Sequence, residues 1–152
     1  MSNEITTLLT GINTRVLAVL GSSYSELGYI VDVTDNPFKG SSKSYGTLAG
    51  DVSEVETSAG VLGSYTVTQN FTVKVTNKWA TSQAGDSSKR STMVALLEKC
   101  LLIYKDLVNN KAGSPNIVLN VLDGMETVNT FHDEENVCEA TMSIGILYRI
   151  AL

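Results

Sequence analysis

Two long stretches of this chain alternate apolar with polar residues, and they limit the fold more than any other feature. In the first, Tyr65, Val67, Phe71, Val73 and Val75 alternate with Thr66, Thr68, Asn70, Thr72, Lys74 and Thr76. In the second, Cys138, Ala140, Met142, Ile144, Ile146, Tyr148 and Ile150 alternate with Glu139, Thr141, Ser143, Gly145 and Arg149. A period of two marks a β-strand with one face buried and one open. Gln69 is the polar break on the apolar side of the first strand, and Leu147 the apolar break on the polar side of the second. Trp79 continues the apolar side to the end of the first strand. Such strands need a layer over their apolar faces.

Two segments have the pattern to supply it. Across Glu4–Leu20, Ile5, Leu8, Leu9, Ile12, Val16 and Leu20 follow the i, i+3, i+4 spacing of one helix face, with Asn3 as candidate N-cap and Gly21 as stop. Across 87–110, Met93, Leu96, Leu97, Cys100, Tyr104, Leu107 and Val108 form a second apolar stripe. Lys89, Arg90, Glu98, Lys99, Lys105 and Asp106 form its outer face. Asp86 or Ser87 is the N-cap, and Asn109 to Gly113 followed by Pro115 ends the helix.

The remaining segments read as strands and turns. Residues 27–33 and 52–57 are rich in β-branched residues, and 116–122 is too apolar for clean alternation. Asn36-Pro37 breaks the first of these, and residues 39–44 have the composition of a loop. Asp123-Gly124 reads as a turn, and Asp133-Glu134-Glu135-Asn136 as a polar hairpin tip. The order is helix, two or three strands, helix, two or three strands. Strands joined by tight turns pair antiparallel. The predicted fold is therefore α+β, with two helices packed on one face of a mainly antiparallel sheet. A length of 152 residues fits one domain, with an enlarged hairpin around 35–64. The opposite sheet face is rich in threonine and sparsely charged, an association surface unless a second copy covers it.

Composition narrows the function. Eleven Lys and Arg stand against 16 Asp and Glu, a net charge of −5, so the basic footprint needed to hold a phosphate backbone is missing. Cys100 and Cys138 lie on apolar faces and read as buried free thiols. No apolar run reaches the roughly 20 residues of a membrane span. No basic segment precedes the apolar run 16–20, so a cytoplasmic protein is expected. The single histidine, His132, stands beside Asp133, Glu134 and Glu135. A metal or acid/base site is the sharper reading of that tip, but no second His or Cys lies at ligand spacing, which supports a solvated turn. Lys39-Gly40-Ser41-Ser42-Lys43-Ser44 lacks the order of a phosphate loop, and no helix pattern follows it. No nucleophile motif occurs, so no catalytic, cofactor-binding or metal-binding residue is predicted, and the chain is not expected to be an enzyme.

The order of elements resembles the tail-terminator family of long-tailed bacteriophages. The matching pieces are the opening helix Glu4–Leu20, the strand 65–75, the helix 87–110 and the closing stretch 133–149. That closing stretch is an acidic turn followed by a long alternating strand ending near Tyr148-Arg149. The resemblance covers most of the chain apart from roughly 35–64. It implies a virion protein, assembled in the host cytoplasm, whose copies form a homohexameric ring. The ring would cap the tail tube protein, stop its polymerisation and dock to the head–tail connector, while DNA passes through the lumen without specific binding. In such a ring, Lys39, Lys43, His132, Asp133, Glu134 and Glu135 would face the lumen or the axial partners. Thr66, Thr68, Thr72 and Lys74 would form the surface towards neighbours or lumen. A neck or head–tail adaptor ring shares the same pattern. A small ligand-binding or enzymatic domain using the tip 132–135 is the alternative from another class.

Overall fold

The computed structural model of the protein describes residues 4–29, 43–57, 64–79, 85–134 and 136–151. Its elements are α1 (Glu4–Leu20), β1 (Ser25–Tyr29), β2 (Ser44–Thr57), β3 (Ser64–Lys78), α2 (Gly85–Asn109), a 3-10 turn (Lys111–Gly113), β4 (Val118–His132) and β5 (Val137–Ala151). The strands form a five-stranded sheet in the order β1-β2-β3-β5-β4. All neighbours pair antiparallel except β1 and β2, which are parallel. The fold is α+β with a mainly antiparallel sheet.

The alternation of β3 and β5 becomes a two-sided sheet. Val67, Phe71, Val73 and Val75 of β3 and Cys138, Ala140, Met142, Ile144, Ile146 and Tyr148 of β5 are buried. They join one core with Leu8, Leu9, Ile12, Val16 and Leu20 of α1 and Met93, Leu96, Cys100, Ile103 and Leu107 of α2. Both helices therefore lie on one side. α1 rests on β2 and α2, and α2 rests on β5, β3 and β4. Replacing the fully buried Phe71 with Ala removes a ring from this layer, at a cost of about 3–5 kcal/mol.

Gln69, the polar residue on the apolar face, is satisfied inside the core. Its Nε2 donates to the Gly50 carbonyl at 2.9 Å, and its Oε1 accepts from the Tyr148 hydroxyl at 2.6 Å. Asn13 does the same for α1. It accepts a hydrogen bond from Thr47 of β2 and donates to Glu26 of β1 at 2.8 Å. Arg15 forms a two-pronged pair with Asp106 of α2 at 2.7 and 2.6 Å, tying the helices together. The N-terminal half of α1 touches the turn after α2 closely enough to require glycine on both sides. A Cβ on Gly113 would stand 2.5 Å from the Gly11 carbonyl oxygen, and Gly113 has φ +72°.

The structure corrects several sequence expectations. Ile5 is 42% exposed, because the core begins one turn later at Leu8. In α2, Ile103 is buried while Val108 is exposed, so the buried face repeats as Met93, Leu96, Cys100, Ile103 and Leu107. β2 starts at Ser44 rather than near Val52. Its first half, rich in Ser, Gly and Thr, is buried despite having no apolar alternation. Asp123-Gly124 is not a turn. β4 continues through it with a bulge between Val121 and Met125, where Gly124 takes φ +93°. Tyr104 of α2 pins that bulge. Its hydroxyl donates to the Leu122 carbonyl at 2.7 Å and accepts from the Gly124 amide at 3.1 Å. Asn3, the break at Asn36-Pro37, the loop 39–42 and the second half of the strand expected at 27–33 lie outside the described residues, as does the side chain of Asp86.

Candidate functional site

The face of the sheet away from the helices has two parts with different character. At one end, Ser44 of β2, Lys74 and Thr76 of β3, and Val137 and Glu139 of β5 are all buried. Lys74 is 1% exposed, and its Nζ lies 3.3 Å from Glu139 Oε1. The pair is diagonal across neighbouring strands, since Lys74 stands opposite Thr141 and Thr76 opposite Glu139. His132 Nε2, at the end of β4, is 3.7 Å from the same carboxylate oxygen. Ser44 and Thr76 hydroxyls hydrogen-bond beside them. Lys74 therefore does not belong to an open inter-subunit or lumen surface. Opposite charges on adjacent strands neutralise each other, which lets both be buried where either alone would stay in water.

Towards the other end, Thr66, Thr68, Thr72, Thr141 and Ser143 are half-buried, and Glu126, Val128 and Arg149 are exposed. Thr66, Thr68 and Thr72 share one face, as alternation requires. Lys43 is exposed and its Nζ lies over the Tyr24 ring, 5.8 Å from the centroid. Lys39 and Glu135 lie outside the described residues.

The tip of the β4–β5 hairpin is fixed to α2. Lys89 Nζ meets Asp133 Oδ1 at 2.6 Å and lies over the rings of Trp79 and Phe131 at 5.3 and 4.7 Å. Trp79 and Phe131 meet edge to face with centroids 6.5 Å apart. The Trp79 amide donates to the Asn136 carbonyl at 2.9 Å, and Asn136 takes φ +59°, a left-handed conformation that Asn tolerates well. Asp133 is thus a structural anchor, and Glu134 is exposed beside it. His132 and Asp133, adjacent in sequence, point to different partners. Among its described residues, the tip does not gather its ionisable groups around one point. Among the described residues, no three His, Cys, Asp or Glu side chains are placed to hold a metal ion.

The cysteines are buried in the core, and burial pushes the Cys100 thiol up to about 11. Burial also raises the thiol of Cys138, which donates to the Lys89 carbonyl. Neither is poised as a nucleophile at neutral pH. An open cleft of about 600 Å³ lies between α1 and the turn after α2, lined by threonines Thr6, Thr7, Thr10 and Thr14 and by Arg15, whose guanidinium is engaged by Asp106. No described helix is long and apolar enough to cross a membrane.

Sequence reasoning missed the exposed apolar residues at the two flanks. On β2, Val52 and Val55 are 47% and 56% exposed. On α2, Val94, Leu101 and Leu102 are 49%, 60% and 51% exposed, and Val108 is also open. The signal was present in α2, whose apolar residues are too many for one stripe: Val94, Leu101 and Val108 repeat every seven positions beside the buried face. Among the described residues both sheet edges are also open in part: β1 pairs only with the start of β2, and β4 pairs only with β5. Compared with models of known protein families and with curated proteins, the chain matches none.

Proposed function

We propose that this chain is a structural subunit that closes with copies of itself into a ring at the end of a bacteriophage tail tube, as a tail terminator does. One observation carries the reading. Among the described residues, the sheet has its helices on one side and leaves strand edges unpaired at both flanks, together with exposed apolar side chains on each. A monomer gains nothing from such edges, which invite pairing with another chain. A head-to-tail ring uses two different patches, one on each side of the subunit, and so needs this asymmetry. The acidic balance of the chain suits a lumen that DNA crosses without being held. In this reading the half-buried threonines of β3 and β5 line contacts or lumen, and the clamped tip around Asp133 and Glu134 meets an axial partner. In this reading the protein works through its shape rather than through a reaction at a site.

The test is tube length. In particles assembled without this chain, tail tubes should overgrow, and adding the purified protein should restore a uniform length with a ring visible at one end by electron microscopy. Tubes of normal length in its absence would overturn the proposal.

A further inference from the structure

The outer face of α2 has nearly the same pattern read from either end. Val94, Leu101, Leu102 and Val108 are exposed there, and Glu98 and Lys105 are exposed among them. Leu101 and Leu102 each stand one helical turn from both charges, being three or four positions from Glu98 and from Lys105. Val94 lies four before Glu98 and Val108 three after Lys105, so the face runs valine, glutamate, two leucines, lysine, valine. The buried side of the helix, Leu96, Cys100, Ile103 and Leu107, points the other way, into the core against the sheet. Among the described residues, neither Glu98 nor Lys105 makes an ion pair within the chain. A run of exposed apolar side chains along one surface marks a contact site.

We infer that two copies of the chain pair through α2, face to face and antiparallel, about a two-fold axis between Leu101 and Leu102. Charge sets the direction. The axis places Glu98, three before Leu101, opposite Lys105 of the second copy, three after its Leu102. The reciprocal pair forms at the same time, so the two charges on each copy are both answered. Val94 and Val108 then stand opposite each other to within one residue, and the leucines meet at the axis. A parallel pair would instead set Glu98 against Glu98 and Lys105 against Lys105, and like charges facing each other suppress that arrangement. Burial of the four apolar side chains from each copy supplies the attraction, while exposed ion pairs fix orientation more than strength. The face is about 21 Å long at roughly 1.5 Å per residue, a short helix-pair seam, so the dimer should form in about the micromolar range. The pairing goes beyond the ring reading and does not depend on it. An isologous contact closes on two copies, and Val128 and Phe131 stay exposed on β4 for a ring contact.

Charge reversal in the full chain tests the pairing. The unsubstituted protein should show a monomer–dimer equilibrium by sedimentation. Glu98→Lys alone and Lys105→Glu alone each turn both ion pairs into like-charge pairs, and each should weaken dimerisation about tenfold or more. The double reversal, Glu98→Lys with Lys105→Glu, puts opposite charges back across the axis and should recover the dimer. Both positions are exposed, so circular dichroism should show the fold retained in every variant. Leu101→Cys should oxidise to a covalent dimer and to nothing larger, since the native Cys100 and Cys138 are buried and do not compete. A protein that stays monomeric at about 100 micromolar overturns the pairing. So does self-association that the single reversals leave intact, or that the double reversal fails to restore. In each of these cases the tube-length test of the ring reading keeps its own outcome.

Discussion

Lys74 and Glu139 show how a polar sheet face can be closed without apolar residues. Each is nearly fully buried, and their charged atoms lie 3.3 Å apart. Removing one takes the nearest opposite charge from the other, which costs far more than the pair itself contributes. Glu139→Ala should therefore lower unfolding free energy by about 3–5 kcal/mol in urea titrations, and the double change Lys74→Met with Glu139→Leu should cost much less. Asp106 offers a pH test. Its hydrogen bonds from Arg15 hold its carboxyl below the ordinary carboxylate range in the folded protein. A depressed folded value means that the stabilisation is fully present above the unfolded carboxylate value of about 3.9 and fades as pH falls through the folded value. The stability difference between the wild-type protein and Asp106→Asn should thus be constant above about pH 5 and shrink below about pH 4. A difference that grows on acidification would contradict this assignment. Gln69 belongs at the same scale: the sequence marked it as a break in the pattern, and its two hydrogen bonds supply the reason.

Among elements, α2 does the most to organise the molecule. Its buried face covers β5, β3 and β4, Tyr104 holds the β4 bulge, and Lys89 clamps the hairpin tip. The clamp joins an ion pair with a cation held over two aromatic rings, and such contacts are worth about 0.5–1 kcal/mol each when partly exposed. Lys89→Ala should lower stability by about 1 kcal/mol and shift the emission of Trp79, the only tryptophan, because its ring loses the cation above it. Unchanged emission would show that Lys89 does not sit over the ring in solution. The helices and the two alternating strands were legible from spacing alone, since each has one face that must be buried. β2 was not. Its first half is buried by position, next to β3 and under α1, and Ser, Gly and Thr carry no periodic signal of that burial. The β4 bulge was missed for a related reason: Asp-Gly favours a turn locally, but pairing along β5 and the hydroxyl of Tyr104 keep the strand running.

For the whole molecule, the acidic balance and the ring proposal make a joint prediction about DNA. A net charge of −5 opposes the phosphate contacts on which non-specific binding depends. Fluorescence anisotropy with duplex DNA at about 0.15 M salt should show no binding at micromolar protein, and binding that weakens steeply with salt would count against a passive lumen. Of the residues expected to face partners, Thr66, Thr68 and Thr72 share one half-buried face, whereas Lys74 is sealed inside the chain and Asp133 is held by Lys89.

Apolar periodicity by itself determined the two helices, the two long strands and the side on which each buries its residues, because a side chain's direction follows from 3.6- and 2-residue repeats within one element. Only the tertiary structure decided which strand lies at an edge, which end of the polar face is sealed, and which apolar residues find no cover. Those outcomes depend on where elements distant in sequence stop overlapping, and no local repeat encodes that.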